Sequence, residues 1–209
     1  MPFNIAIIDY EMGNLKSIYK LLHHLNVESI ITSDAKRIKE ADGIILPGVG
    51  AFGDAMKNLR QKDLISVIQD IIVEKKPLFG ICLGQQLLFT KSYEMGQNMG
   101  LNILEGEVVE FDLSKVKKVP QIGWNSVSFT NKDHFLIQGI PNNTYFYFVH
   151  SFYTIPKNKN EILGLTKYDE IEFCSMISKD NVIATQFHPE KSSTYGIQMY
   201  QNFINYCKK

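Results

Sequence analysis

Among the residues of this sequence that could act as nucleophiles, Cys82 has the most telling surroundings, Gly80-Ile81-Cys82-Leu83-Gly84. The run 78–81 is short and apolar, as a buried strand requires, and 83–88 contains mostly good helix formers. A nucleophile on a sharp strand-to-helix turn needs small neighbours, because a Cβ on either side would clash with the tight backbone. Such a turn exposes the sulfur and aims a helix N-terminus at it, which favours thiolate over thiol. It also leaves the Leu83 N–H outside the helical bonding pattern, free to face an oxyanion. A lone cysteine reads as a buried structural thiol; two glycines at this spacing turn the reading toward a nucleophile.

A cysteine nucleophile needs a base, and the base needs an orienting group. There are five histidines. His23 and His24 are adjacent on a helical stretch and read as a solvated edge, and His134 sits in a polar loop beside Asp133, expected to be exposed. His188 differs. It follows an apolar run, in Gln186-Phe187-His188-Pro189-Glu190-Lys191-Ser192. In extended chain, residues i and i+2 share a side, so His188 and Glu190 can reach one cleft while Pro189 stiffens the backbone between them. The carboxylate then holds one ring nitrogen, and the other takes the thiol proton. His150 is a weaker second base, with no acid two residues away. Pro47-Gly48-Val49-Gly50 is a further anion-facing stretch. Its glycines let the Val49 peptide reorient, so the Val49 N–H can join that of Leu83 around an oxyanion. It is too short for a phosphate loop, and no Gly-Lys-Ser/Thr follows.

These groups need a scaffold that gathers them at one edge. Strands are expected at 4–8, 27–31, 43–46 and 78–81, alternating with helices at 14–25, capped by Asn14, and at 51–74, broken near Asp63. That alternation implies parallel βαβ units with helices on both faces, whose ligands bind at the C-terminal ends of the strands. After about residue 100 the pattern turns strand-rich and partly antiparallel. Strands are expected at 105–111, 123–129, 145–148, 162–168, 172–177 and 182–187, before a closing helix at 195–207. The aromatic run 145–153 reads as one buried strand ending in polar His150 and Ser151. Trp124 fits either core or a binding surface. No repeat or long linker divides the chain, so residues 1–209 read as one α/β domain.

The 209 residues are 44% hydrophobic and 21% charged, enough for one sizeable core. Lys plus Arg and Asp plus Glu are 22 each, which argues against a nucleic-acid partner. The N-terminal stretch has no leader-like pattern, and no run approaches the ~20 apolar residues of a membrane span. Three scattered cysteines suggest a reducing, cytoplasmic setting with no disulfide framework and no metal site. No cofactor is called for.

Gly80-Ile81-Cys82-Leu83-Gly84-Gln85-Gln86 together with His188-Pro189-Glu190 resembles the class I glutamine amidotransferases. Three further stretches, 47–52, 119–125 and 187–192, narrow the resemblance to glutaminase subunits that work beside a separate synthase. The resemblance covers essentially the whole chain. It implies a Cys82, His188 and Glu190 triad that cleaves glutamine through a γ-glutamyl thioester, with an oxyanion hole at Val49 and Leu83. It also implies glutamine contacts at Gly50, Gln86, His150, Ser151 and Phe152. A (β/α)8-barrel cyclase of histidine biosynthesis would receive the ammonia in a heterodimer, docked near Trp124, Asn125 and Lys191. Gln85 stands where the family usually has Met, and Gln121 where it often has His. These departures leave room for a paralogue serving a sugar amidotransferase of surface polysaccharide synthesis. A free-standing γ-glutamyl hydrolase and a non-catalytic regulatory module are the readings of other classes. The glycine-flanked Val49 loop, suited to gating, speaks against the first, and the intact triad against the second.

Overall fold

The computed structural model describes residues 3–209; Met1 and Pro2, the start of the stretch read for a leader, lie outside the described residues. The first half runs β1 (Asn4–Ile8), α1 (Leu15–His24), β2 (Glu28–Thr32), α2 (Ala35–Glu40), β3 (Gly43–Gly48), α3 (Phe52–Gln61), α4 (Leu64–Val73), β4 (Leu78–Cys82) and α5 (Leu83–Leu87). The second runs β5 (Phe89–Ser92), β6 (Asn98–Met99), β7 (Leu104–Glu110), β8 (Gln121–Phe129), β9 (Thr144–His150), β10 (Phe152–Pro156), β11 (Ile162–Tyr168), β12 (Ile171–Lys179), β13 (Val182–Thr185) and α6 (Ser193–Cys207).

The order β2-β1-β3-β4-β13 forms a parallel block, as expected for βαβ units. Alternation along each strand sends side chains to opposite faces. Ile5, Ile7, Ile45 and Phe79 pack under Ile18 and Leu22 of α1 and Tyr200 and Phe203 of α6. Ala6, Ile8, Ile44 and Leu78 pack under Ile38 of α2, Leu59 of α3 and Leu64 and Ile68 of α4. Both faces are dry, so these strands read as continuous apolar runs. Beyond β13 the sheet continues through β12, β10 and β7, and β8 and β9 pair antiparallel beside it. Among the described residues, no helix is long and apolar enough to cross a membrane.

Several local expectations change. The break at Asp63 is where it was expected, with φ +54 between α3 and α4. Helix α2 was not anticipated: it is six residues long with one buried apolar position, Ile38, and is started by Asp34, whose side chain accepts the Arg37 N–H at 2.9 Å. Asn14 precedes α1 but its side chain makes no capping bond. His134 is half-buried, not exposed, with Nε2 3.0 Å from Ser178 Oγ. The run 145–153 is two strands, because the chain changes partners at Ser151: β9 pairs with β8, and β10 with β7 and β12.

Candidate active site

Strand β4 passes directly into α5 through Cys82, at φ +55 and ψ −109. A non-glycine residue there costs about 1–3 kcal/mol, strain of the kind that collects at functional sites. The elbow is allowed by Gly84: a Cβ at that position would overlap the Leu46 carbonyl oxygen of β3. Cys174 and Cys207 are poor nucleophiles by comparison. Burial pushes each thiol up to about 12, helped at Cys207 by the charge of Asp42.

The register of the sheet brings the base to the sulfur. Strand β13 lies parallel to β4 with Thr185 opposite Ile81, so the chain leaving β13 passes Cys82 and reaches His188 three residues later. The His188 N–H donates to the Tyr147 carbonyl at 2.9 Å, and its own carbonyl accepts from Ser192 Oγ at 2.6 Å. Nδ1 lies 2.7 Å from Glu190 Oε1 in a buried pair. Nε2, the other ring nitrogen, is buried and is left for the Cys82 sulfur. Burial works against the imidazolium, but the charge and hydrogen bond of Cys82, followed by Glu190, outweigh it and raise the His188 pKa to about 10. Opposite a thiolate, His188 therefore keeps its proton through neutral pH.

Strand β3 places the second anion-facing stretch, since Gly48 pairs with Cys82. Val49 and Gly50 follow at the rim of a cavity of about 310 Å³, which Cys82, Leu83 and Gln86 also line. The Tyr10 hydroxyl donates to the Pro47 carbonyl at 2.6 Å and anchors the base of this loop. Gly50 has φ +96, a conformation other residues rarely adopt. Larger hollows elsewhere, of about 440 and 570 Å³, are lined by neither Cys82 nor any other cysteine.

His150, Ser151 and Phe152 form the opposite wall of the cavity. Both ring nitrogens of His150 are engaged, Nδ1 with the Phe152 carbonyl at 2.7 Å and Nε2 with the Gln121 side chain at 3.1 Å. Burial lowers its pKa to about 4, opposed by the Phe152 hydrogen bond and aided by the charge of His188. This has a consequence for stability. Below pH 6.5 the unfolded chain binds a proton at residue 150 that the folded chain refuses until about 4, so stability falls as pH falls through that window. Below about pH 6 His188 is protonated in both states and adds little to the slope, while half-buried His134, whose pKa burial also lowers, adds to it in the same direction. The full difference is about 3 kcal/mol. Urea unfolding between pH 6 and pH 4.5 should show much of this loss, and His150→Asn should reduce it, leaving the part that His134 supplies; equal slopes in both proteins would remove His150 as the cause.

With this geometry in place, comparison with known proteins decides the family. The family described as Glutamine amidotransferase class-I matches residues 6–206. The chain belongs to this family. Among similar relatives, the Imidazole glycerol phosphate synthase subunit HisH of Sulfurimonas denitrificans is 44% identical, covering 97% of this chain and 98% of its own. That of Aquifex aeolicus is 47% identical, covering 98% and 97%. The structure of PurLQS from Thermotoga maritima superposes with a TM-score of 0.76 over 99% of each chain, at 19% identity. The glutaminase domain of Trypanosoma brucei CTPS, solved with bound acivicin, gives 0.69 over 99% of this chain and 94% of that one, at 17% identity. The last two support the class-I amidotransferase fold alone.

Within this amidotransferase, the residues read from sequence fall into two places. Cys82, Leu83, Val49, Gly50, Gln86 and the 150–152 wall meet at one cavity, with His188 and Glu190 behind the sulfur. Trp124 and Lys191 lie outside it, gathered on Tyr147: the Trp124 ring meets Tyr147 edge-on at 6.3 Å, and Lys191 Nζ stands 5.8 Å from its centroid. Asn125 is cross-linked within the sheet, donating to the Lys167 carbonyl at 2.9 Å. Sequence reasoning missed Glu94, among the described residues the one carboxylate lining the cavity, whose Oε2 accepts the Phe52 N–H at 2.6 Å at the start of α3. A carboxylate there suits an α-ammonium group. It also gave no role to Gln186, although i and i+2 alternation from His188 points it to the same side.

Proposed function

We propose that this chain is the glutaminase subunit of an imidazole glycerol phosphate synthase, residues 1–209 forming one amidotransferase domain. The observation that carries the reading is full-length kinship to HisH subunits at 44% and 47% identity, with a nucleophile, base and carboxylate assembled at one cavity. The kinship favours this over a sugar-amidating paralogue. The chain's three unpaired cysteines suit the cytoplasm, where we place it.

In this reading Cys82 Sγ attacks the side-chain amide carbon of glutamine, and the carbonyl oxygen becomes an oxyanion received by the N–H groups of Leu83 and Val49. The His188 imidazolium gives its proton to the amide nitrogen, the C–N bond breaks, and ammonia leaves a γ-glutamyl thioester. Neutral His188 then takes a proton from water, hydroxide adds to the thioester, and glutamate departs as the thiolate returns. Glu190 holds Nδ1–H throughout and orients the ring. Ammonia passes to a (β/α)8-barrel cyclase docked over the Trp124, Asn125 and Lys191 face. There it joins a phosphoribulosyl formimino aminoimidazole carboxamide ribotide to give imidazole glycerol phosphate and aminoimidazole carboxamide ribotide. The test is product formation from glutamine by this chain mixed with such a cyclase. Failure there, with success beside a sugar amidotransferase, would transfer the chain to the paralogue.

The roles of His188 and Glu190 predict a ranking. His188→Ala removes the proton carrier, and Glu190→Gln only its orienting group, so the second should cost roughly one to two orders of magnitude less in kcat. Steady-state glutaminase rates of both variants in the complex check this. Equal losses would make the role assignment wrong.

A further inference from the structure

We propose that Gln186 is a hydrogen-bond donor to the Cys82 sulfur that favours its charged, reactive form, and that its amide is locked in this orientation by Gln86 and the Phe152 carbonyl. The proposal rests on Cys82 being the nucleophile of glutamine hydrolysis. Gln186 is fully buried on the segment joining β13 to His188, and its Nε2 stands 3.7 Å from Cys82 Sγ. A carboxamide looks alike when turned end for end, so its neighbours decide which atom faces the sulfur. A carbonyl oxygen can only accept. The atom of Gln86 that meets the Phe152 carbonyl at 3.0 Å is therefore Nε2. The second hydrogen of that nitrogen goes to Gln186 Oε1, also at 3.0 Å. With its oxygen so engaged, Gln186 turns its NH2 group to the sulfur.

The far end of the chain is fixed by the same logic. The Phe152 carbonyl has a second lone pair, which takes Nδ1–H of His150 at 2.7 Å. His150 Nε2 is then an acceptor, and the Gln121 Oε1 that stands 3.1 Å from it must exchange places with Nε2, the amide turned end for end, to offer an N–H. A continuous polar chain thus runs from Gln121, the first residue of β8, to the nucleophile. Its last bond discriminates between states of the sulfur. Apart from His188, Sγ also meets the Val149 carbonyl at 3.9 Å, an acceptor that an S–H can meet and a thiolate cannot. Gln186 is a donor, and a donor to a thiolate is charge-assisted and strengthened by the dry surroundings.

Gln186→Met keeps the bulk of the side chain and removes the donor. Two results are expected for the folded full-length variant. The pH profile of Cys82 alkylation by iodoacetamide should move about one unit higher. In complex with the cyclase, kcat for glutamine hydrolysis at neutral pH should fall about tenfold with little change in KM, since one unit and tenfold are the same energy. Gln186→Glu keeps the acceptor for Gln86 but turns oxygen toward the sulfur, and should be slower than Gln186→Met. A folded Gln186→Met with an unchanged alkylation profile overturns the proposal. Should that variant fail to fold, the wild-type chain provides the readout: the ¹⁵N-labelled Gln186 carboxamide signals should titrate with the alkylation profile and cease to do so in Cys82→Ala. Signals indifferent to both overturn it. A wild-type complex that hydrolyses no glutamine overturns the reading beneath, a result distinct from an active wild type whose Gln186 is inert.

Discussion

Cys82→Ala is expected to remove glutamine hydrolysis, a loss of about 10⁴–10⁶ in kcat, while the assembled complex continues to make product from added ammonia. The first half of this expectation comes from the elbow. Among the three cysteines, only Cys82 lines the cavity, and the other two are held as thiols by burial. Alanine keeps a Cβ at φ +55, so the backbone strain is unchanged and the substitution removes little besides the sulfur. The second half comes from the division of labour between chains: nothing in the proposed ammonia-consuming step needs the thiol. Glutamate release and product formation from ammonium salt, measured on the same preparation, read the two halves separately. A properly assembled Cys82→Ala complex that has lost the ammonia-dependent reaction would sink the division of labour.

What could be read in the sequence was local chemistry. The Gly80, Cys82 and Gly84 spacing marked a strained elbow because few other reasons place small residues on both sides of a thiol. Alternation in extended chain pairs His188 with Glu190; the pair does form, but across a 3-10 turn over Pro189–Lys191, in which the Lys191 N–H donates to the His188 carbonyl at 3.0 Å. The convergence of Cys82 with His188 was not readable, because it depends on β13 lying parallel to β4 with Thr185 opposite Ile81, a pairing across about a hundred residues. His150 suggested a base or a substrate contact. Its burial, and the reversal at Ser151 that brings the Phe152 carbonyl back onto its ring, belong to tertiary structure. Glu94 was hidden for a related reason. The helix expected over 83–88 is only one turn, and the strand after it, β5, carries the chain back to the cavity. Gln186 had the right alternation, but a glutamine beside a phenylalanine offers no chemical cue until its neighbours are known.

The isolated chain is expected to be a slow glutaminase, accelerated about 10²–10³-fold by its cyclase with acceptor ligand bound, the rate that one oxyanion donor supplies. The structure has the parts for such a device. Pro47 is held by the Tyr10 hydroxyl, so the loop turns on a fixed base. Gly50, at φ +96, takes up the backbone change on the far side, and the Val49 side chain, 41% exposed, meets little that would resist it. With the Val49 N–H turned away, Leu83 is left as the single donor. The proposed docking face reaches the site by a short path. Trp124 and Lys191 pack on the Tyr147 ring, and the Tyr147 carbonyl holds the His188 N–H. Two residues along the same strand, the Val149 carbonyl faces the sulfur at 3.9 Å. The coupling acts on a rate, so acceptor ligand and glutamine need not affect each other symmetrically. The measurement is kcat for glutamine hydrolysis by the chain alone, with cyclase, and with cyclase plus acceptor ligand. Val49→Pro, which deletes the N–H, should hold the activated complex near the rate of the isolated chain. Full activity in the isolated chain would remove the gate and favour a free-standing hydrolase.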